Sequence, residues 1–157
     1  MNIYEYAMKI EKDGERYYKD LAETVEDKSL KAIFMMLADE EVKHYIAFDK
    51  MNKQQETFHH ASTHLLRHTL TLLRKMRHEN PHFTFSKSHI SAFESALKTE
   101  KSSFDFYKKK GEMLEDGDQK EAFFAIAEEE HQHMILLENL IDFITDPDKW
   151  MDKHTHH

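Results

Sequence analysis

Four glutamates and two histidines recur in this sequence at spacings that suit a metal site. Glu41 and His44 are three residues apart, as are Glu130 and His133. Side chains three apart on a helix lie on one face, so both members of a pair can reach one ion. A further glutamate precedes each pair by 30 residues. The candidate metal ligands are therefore Glu11, Glu41, His44, Glu100, Glu130 and His133.

The neighbours of these six residues predict that they are buried. Glu100, for example, stands between Leu97 and Phe104 in a stripe of apolar residues at helical spacing. Several ionised carboxylates in one core would destabilise the fold and repel one another unless cations neutralise them. The alternative, charged residues on helix surfaces, does not explain why all six fall in apolar stripes.

The chemistry of this ligand set favours two hard or borderline metal ions. Four carboxylates balance the charge of two divalent cations. Oxygen ligands with imidazole suit iron or manganese better than they suit metals that prefer sulfur, and zinc accepts the same ligands as a substitute. Four carboxylates and two imidazoles also form the ligand set of the ferritin-like di-iron and di-manganese bundles. We therefore expect two Fe ions, with Mn as the alternative.

An internal repeat relates the two halves of this set. Residues 5–50 align on residues 94–139 without a gap, and 17 of the 46 pairs are identical. The alignment places Glu11 on Glu100 and each Glu-x-x-His pair on the other. It predicts two copies of a helical hairpin, each carrying half of the metal site.

A rival Glu-x-x-His pair, Glu128 and His131, falls outside this register. In the repeat these residues align with Asp39 and Val42, which cannot form the same pair. We expect Glu128 and His131 to lie on the surface or to support the ligands.

The elements that would position these residues are long helices. Three Gly and two Pro leave few places where a helix can be interrupted. The apolar spacing predicts helices over about 3–26, 29–52, 89–111 and 118–145, the last with Asp118 as its N-cap and Glu121 as capping partner. Short links within each hairpin and one long crossover between them predict an all-α, ferritin-like four-helix bundle.

The domain is expected to span 1–146, with a connector over about 53–88 and a C-terminal tail over 147–157. Six mostly apolar residues recur at helical spacing within the connector, so a short amphipathic helix is expected there; they are Leu65, Leu66, Thr69, Leu72, Leu73 and Met76. We expect the connector histidines to face solvent; they are His59, His60, His64, His68, His78, His82 and His89.

Composition excludes several other chemistries. The sequence has no cysteine, which excludes disulfides, iron–sulfur clusters, thiolate zinc sites and cysteine nucleophiles. The net charge is −8, but residues 52–90 carry six Lys/Arg and two Asp/Glu. We interpret this basic segment as a solvated connector face and expect no nucleic acid partner. No signal peptide or long apolar run is evident, so we expect a cytoplasmic protein with no membrane association.

Four segments resemble the di-iron domain of the rubrerythrins, and the resemblance covers nearly the whole chain. They are KIEKDGERYYKDLAE, LADEEVKHYIAF, ALKTEKSSFDFYKKK and IAEEEHQHMILLENL. The ending DFITDPDKWMDK is similar to the Pro–Trp ending of relatives of that family. The resemblance implies a di-iron centre that reacts with hydrogen peroxide or dioxygen, in defence against oxidative stress.

The sequence departs from the family pattern at two places. Rubrerythrins proper carry a rubredoxin module with four iron-binding cysteines, which this sequence lacks, so electrons would come from an external electron-transfer protein. The family also has an extra carboxylate one turn after the third-helix ligand, where this sequence has Ser103. In the family that carboxylate takes part in the iron movement linked to peroxide reduction.

Further residues are candidates for supporting roles. Tyr18 and Tyr107 follow Glu11 and Glu100 by two turns, so either hydroxyl could donate to a ligand carboxylate; the alternative is a pair of core tyrosines. Two more glutamates directly precede a ligand glutamate and could each accept a hydrogen bond from a ligand histidine, or lie on the surface; they are Glu40 and Glu129.

The leading hypothesis is thus a redox enzyme with a di-iron centre. A second hypothesis is iron binding and sequestration with ferroxidase activity, which predicts a large shell with more than two irons per chain. A third is a bundle in which the metal only adds stability. A homodimer is the expected oligomer.

Overall fold

The structure is a computed structural model that describes residues 1–55, 65–82, 84, 87–115 and 117–155. These residues form six helices and no strand, which confirms the predicted all-α class and the long helices of a ferritin-like bundle. No helix in these ranges is long and apolar enough to cross a membrane. The helices are α1 (Ile3–Thr24), α2 (Lys28–Asn52), α3 (Leu65–Glu79), α4 (Lys87–Met113), α5 (Gly117–Thr145) and α6 (Pro147–Thr155).

Side-chain caps fix where the first two helices begin. The Asn2 side chain accepts a hydrogen bond from the Glu5 backbone N–H at 2.8 Å. The Asp27 side chain accepts from the N–H groups of Ser29 and Leu30 at 2.8 and 3.0 Å, which satisfies donors that the first turn leaves open. Helix α1 ends two residues earlier than the pattern predicts, because the backbone is already extended at Val25.

Helix α5 begins one residue before its predicted cap. Asp118 lies in the first turn of the helix and not at its N-cap, because Gly117 is already helical. A negatively charged side chain is still favourable at this position, since the N-terminus of a helix carries a partial positive charge.

The chain divides into two compact units. The first comprises Met1–Ser62 and Ser103–Glu128, so it contains α1, α2, the second half of α4 and the first half of α5. Helices α1 and α2 pack along each other as a hairpin. The aromatic centre of this unit is Phe48, whose ring centroid lies 5.1 Å from that of Tyr107 and 5.3 Å from that of Phe123.

The second unit comprises Thr63–Ser102 and Glu129–His157. It contains α3, the first half of α4, the second half of α5 and α6. Helix α3 is the amphipathic connector helix that the apolar spacing predicts, and Leu65, Thr69, Leu73 and Met76 are its buried residues.

The predicted tail is helical from Pro147 to Thr155 and packs on α5 within the second unit. Trp150 is 2% exposed, packs edge-on against Phe143 and donates from its indole N–H to the Asn139 side chain at 3.1 Å. An ion pair of 2.7 Å between Arg77 of α3 and Asp148 also holds α6. Trp150 is therefore the anchor of this helix.

The histidines of the connector and tail lie in different settings. Three of them, His68, His78 and His82, are exposed as predicted. His89 is half-buried, with its ring 6.3 Å from that of Phe93, and His154 stacks on Trp150 at 4.3 Å. The predictions for His59, His60 and His64 fall on residues outside the described ranges.

Candidate metal centre

In the first unit, three of the candidate ligands form one buried cluster. Glu11 of α1 and His44 of α2 are fully buried, and Glu41 is 4% exposed. One ligand atom from each of the three lies within 4.8 Å of the others. Nδ1 of His44 lies 3.4 Å from Oε1 of Glu11. The i, i+3 spacing on α2 places Glu41 and His44 on the face that meets α1.

Tyr107 belongs to the same cluster. Its hydroxyl donates to Oε1 of Glu11 at 2.8 Å, and its side chain is fully buried. The rings of Phe48 and Phe123 pack against it and fix its direction. This is the contact that the spacing predicts, a tyrosine hydroxyl donated to a candidate ligand. Its repeat counterpart Tyr18 is 2% exposed, with its ring stacked near Phe34.

The electrostatics of the first cluster favour an ionised Glu11. Burial alone would raise the pKa of the Glu11 carboxyl, but the charge of His44 and hydrogen bonds with Glu41, His44 and Tyr107 more than offset it. The pKa of Glu11 therefore lies below its ordinary value. An ionised carboxylate is the form that binds a metal, so protons compete weakly with a cation at this residue near neutral pH.

The second unit holds a matching cluster. Its three residues are almost fully buried: Glu100 of α4 is 3% exposed, and Glu130 and His133 of α5 are each 1% exposed. Their ligand atoms also lie within 4.8 Å of one another. Nδ1 of His133 lies 3.6 Å from Oε2 of Glu100. Each unit thus pairs the single glutamate of one helix with the Glu-x-x-His pair of the next, as the repeat predicts.

Two glutamates that sequence reasoning leaves open are buried. Glu40 is 7% exposed and Glu129 is 3% exposed, so the surface interpretation of both is wrong. In the first unit a carboxylate oxygen of Glu40 lies within 4.8 Å of a ring nitrogen of His44. The position of Glu40 suits a residue that orients this histidine.

The rival pair is less buried than the ligand pairs. Glu128 is exposed and His131 is half-buried. Both lie on α5, whose buried face carries Glu130 and His133 instead. This placement agrees with the repeat register.

One residue near the first cluster escapes sequence reasoning. Gly14 lies one turn after Glu11 on α1, and a Cβ atom added there would stand 2.9 Å from Oε2 of Glu41. The repeat aligns Gly14 with Ser103, which is 8% exposed and lies one turn after Glu100. A small residue at both positions of the repeat is the sequence signal that could have indicated the role of Gly14.

The residues present fit a di-metal site. Each cluster offers two carboxylates and one imidazole, all buried, which is a donor set that prefers iron, manganese or zinc to softer metals. Glycine at position 14 leaves room for a ligand carboxylate beside the helix backbone. Burial of four carboxylates without cations would be strongly unfavourable.

An all-helical chain with two such buried Glu/His clusters has the features of the ferritin-like di-iron proteins. The sequence profile of one family among them, described as Rubrerythrin, matches residues 2–141, and the chain belongs to this family. The matched residues include all six candidate ligands and end before α6. No curated protein and no solved structure matches the chain significantly.

Proposed function

We propose that this chain is a redox protein that binds two iron ions and reacts with hydrogen peroxide or dioxygen. The observation that carries the proposal is the pair of buried clusters, each with two glutamates and one histidine, in a chain of the rubrerythrin family. The six residues proposed to hold the metals are Glu11, Glu41, His44, Glu100, Glu130 and His133.

The chain's own residues would bind the ions, orient their ligands and exclude water. The four glutamates supply the negative charge that two divalent ions require. Tyr107 holds one oxygen of Glu11 through its hydroxyl, and Glu40 lies beside His44. Such neighbours fix the orientation of metal ligands and affect metal affinity about 10- to 100-fold when they are removed.

When bound, two Fe(II) ions would supply the two electrons that convert one hydrogen peroxide and two protons to two water molecules. A one-electron protein donor would then return these electrons. The sequence has no cysteine and hence no thiolate redox centre of its own, so we propose an external electron-transfer protein as the partner.

Stoichiometric oxidation tests the proposal. Protein loaded anaerobically with two equivalents of Fe(II) is mixed with one equivalent of peroxide, and the remaining Fe(II) is measured with a chromogenic chelator. We expect rapid loss of both Fe(II) equivalents, against slow loss in the double variant Glu41→Ala, Glu130→Ala. The matched control is Glu128→Ala, His131→Ala, which removes the rival pair and should react like the wild type. Equal rates in all three proteins would refute the ligand assignment.

A specific residue favours dioxygen or iron oxidation as the second candidate function. Ser103 stands where the family places an extra carboxylate linked to peroxide reduction, and its side chain offers no charged ligand. Under this alternative, Fe(II) would be oxidised faster by dioxygen than by peroxide. Ser103→Glu would then raise the peroxide rate relative to the dioxygen rate, whereas Ser102→Glu, on the exposed side of α4, would leave the ratio unchanged.

A further inference from the structure

Gly14 stands in close contact with a candidate ligand. An ideal Cβ at this position would lie 2.9 Å from Oε2 of Glu41, 3.2 Å from its Cδ and 3.5 Å from its Cγ. Real Cβ atoms essentially never approach another heavy atom within 3.0 Å, as the 2.9 Å distance to Oε2 would require. The 3.2 Å distance to Cδ is also shorter than the roughly 3.5–4.0 Å at which non-bonded carbon atoms pack best. The Glu41 carboxylate therefore occupies space that any other residue at position 14 would claim.

The backbone does not explain a glycine here. None of the glycines in the described residues has a positive φ, and Gly14 lies in the interior of α1. Glycine is less favourable than alanine in a helix interior. The missing side chain is thus the property of Gly14 that the structure uses.

The three glycines of the chain differ in what surrounds them. A Cβ at Gly111 would meet the Phe124 ring at 2.9 Å, which is a packing contact between apolar groups. A Cβ at Gly117 would meet nothing within 4 Å. Of the three, Gly14 alone faces a metal-ligand candidate.

We propose that Gly14 is a positioning residue for the metal site. By leaving its side-chain space empty, it gives the Glu41 carboxylate a place against α1 and so sets its direction relative to Glu11 and His44. The inference rests on the proposed function, since it gives Glu41 the role of a ligand.

The kind of atom displaced determines what a substitution would cost. The atom nearest the added Cβ is the far end of a flexible glutamate side chain, which can rotate away without moving the backbone. Gly14→Ala should therefore leave the metal-free fold as stable as the wild type, or more so. The same rotation would carry Oε2 away from its place in the cluster, so metal binding should weaken.

Cobalt(II) titration of the metal-free protein tests the inference without any turnover. We expect Gly14→Ala to weaken Co(II) binding by about tenfold or more and to alter the visible d–d spectrum, with an unchanged or higher Tm of the metal-free protein. Gly117→Ala should retain wild-type binding. Gly111→Ala should change the Tm through Phe124 and leave Co(II) affinity intact. Wild-type affinity and spectrum in Gly14→Ala would overturn the inference.

A double-mutant cycle tests whether the loss of affinity in Gly14→Ala acts through Glu41 and not through a general loss of folding. Glu41→Asp shortens the ligand by one methylene and draws its carboxylate back from α1. If the two residues are coupled, Gly14→Ala reduces affinity far less in the Glu41→Asp background than in the wild type. Equal losses in both backgrounds would refute the coupling.

The outcomes separate this inference from the function it rests on. A wild type that binds two Co(II) while its Fe(II) form is inert to peroxide and dioxygen would refute the redox function alone. A Gly14→Ala variant that binds like a reactive wild type would refute the role of Gly14 alone. A wild type that binds no Co(II) would refute both.

Discussion

At the scale of single residues, Tyr107 makes a direct hydrogen bond to a candidate ligand. Its hydroxyl donates to Glu11 inside a buried cluster. Tyr107→Phe keeps the ring packing and removes only this hydrogen bond, which contributes about 1.5–3 kcal/mol when the acceptor is charged. We expect Fe(II) or Co(II) binding to weaken about tenfold or more in a competition titration. The control Tyr45→Phe alters a half-buried tyrosine of α2, and an equal loss there would show that the effect is not specific to Glu11.

The ionisation of Glu11 gives the metal-free protein a defined acid sensitivity. Because the pKa of Glu11 is lower in the folded state than its ordinary value, the ionised carboxylate stabilises the fold above about pH 4.3, the value expected in the unfolded chain. This contribution is lost as the pH falls through the lower, folded-state pKa. Urea unfolding between pH 6 and pH 3 should show a steeper loss of unfolding free energy for the wild type than for Glu11→Gln. Parallel curves would contradict this assignment.

Most of the candidate metal site could be predicted from the sequence, because its residue types recur at fixed spacings. The apolar stripes predicted that the six candidate ligands are buried, because an isolated charge in such a stripe is otherwise costly. Whether they bind metal stays a prediction. Gly14 was missed because a glycine reveals no contact until the atoms around it are placed. The burial of Glu40 and Glu129 was left open because three consecutive acidic residues on a helix normally include exposed ones.

At the scale of the helix, α3 carries a polar group that its surroundings do not satisfy. Thr69 is fully buried, and its hydroxyl has no hydrogen-bond partner within the part of the chain that the structure describes. A buried hydroxyl left unpaired costs about 1–3 kcal/mol. Thr69→Val, which has nearly the same shape, should therefore raise the unfolding free energy by about 1 kcal/mol and the Tm by roughly 2–4 °C.

The matched control for this prediction lies two residues along the same helix. Thr71 is exposed, and its hydroxyl donates to the Arg67 carbonyl at 3.1 Å. Thr71→Val should change stability by no more than about 0.5 kcal/mol in either direction. If Thr71→Val were as stabilising as Thr69→Val, the gain in unfolding free energy would come from valine itself and not from the removal of a buried hydroxyl.

The ends of the helices were harder to predict than their faces. Periodicity locates a buried face over many residues, whereas an end depends on a few capping groups such as Asp27. Helix α6 was interpreted as a tail because residues 147–157 are short and polar. Its stability depends on distant partners, Asn139 and Arg77, that local pattern does not reveal.

For the whole molecule, metal binding and folding should be thermodynamically linked. Both units hold clusters that favour cations, so a metal that binds only the folded chain stabilises it by mass action, about 2.7 kcal/mol at 100 times its Kd. Chelation should lower the Tm of the purified protein, and two equivalents of Fe(II) per chain should restore it, as measured by anaerobic scanning calorimetry. The double variant Glu41→Ala, Glu130→Ala should show no metal-dependent shift. Saturation well below one metal per chain would argue against a di-metal site.

The repeat explains why so much of the fold was accessible from one sequence. Two copies of one pattern provide an internal alignment, which distinguishes ligand positions from similar neighbours such as Glu128 and His131. The division into units was not predicted, because α4 and α5 each contribute to both and continuous helices show no boundary in sequence. The homodimer stays a prediction; a small assembly with about two irons per chain would favour redox chemistry over storage in a large shell.

The docking of α6 gives this protein a built-in optical probe. Trp150 is the single tryptophan of the chain, and it is buried beside Phe143 with its indole N–H held by Asn139. Intrinsic fluorescence excited at the tryptophan band therefore reports one location in the second unit. A red shift in emission during unfolding would record the release of this helix, independently of the helical signal from circular dichroism.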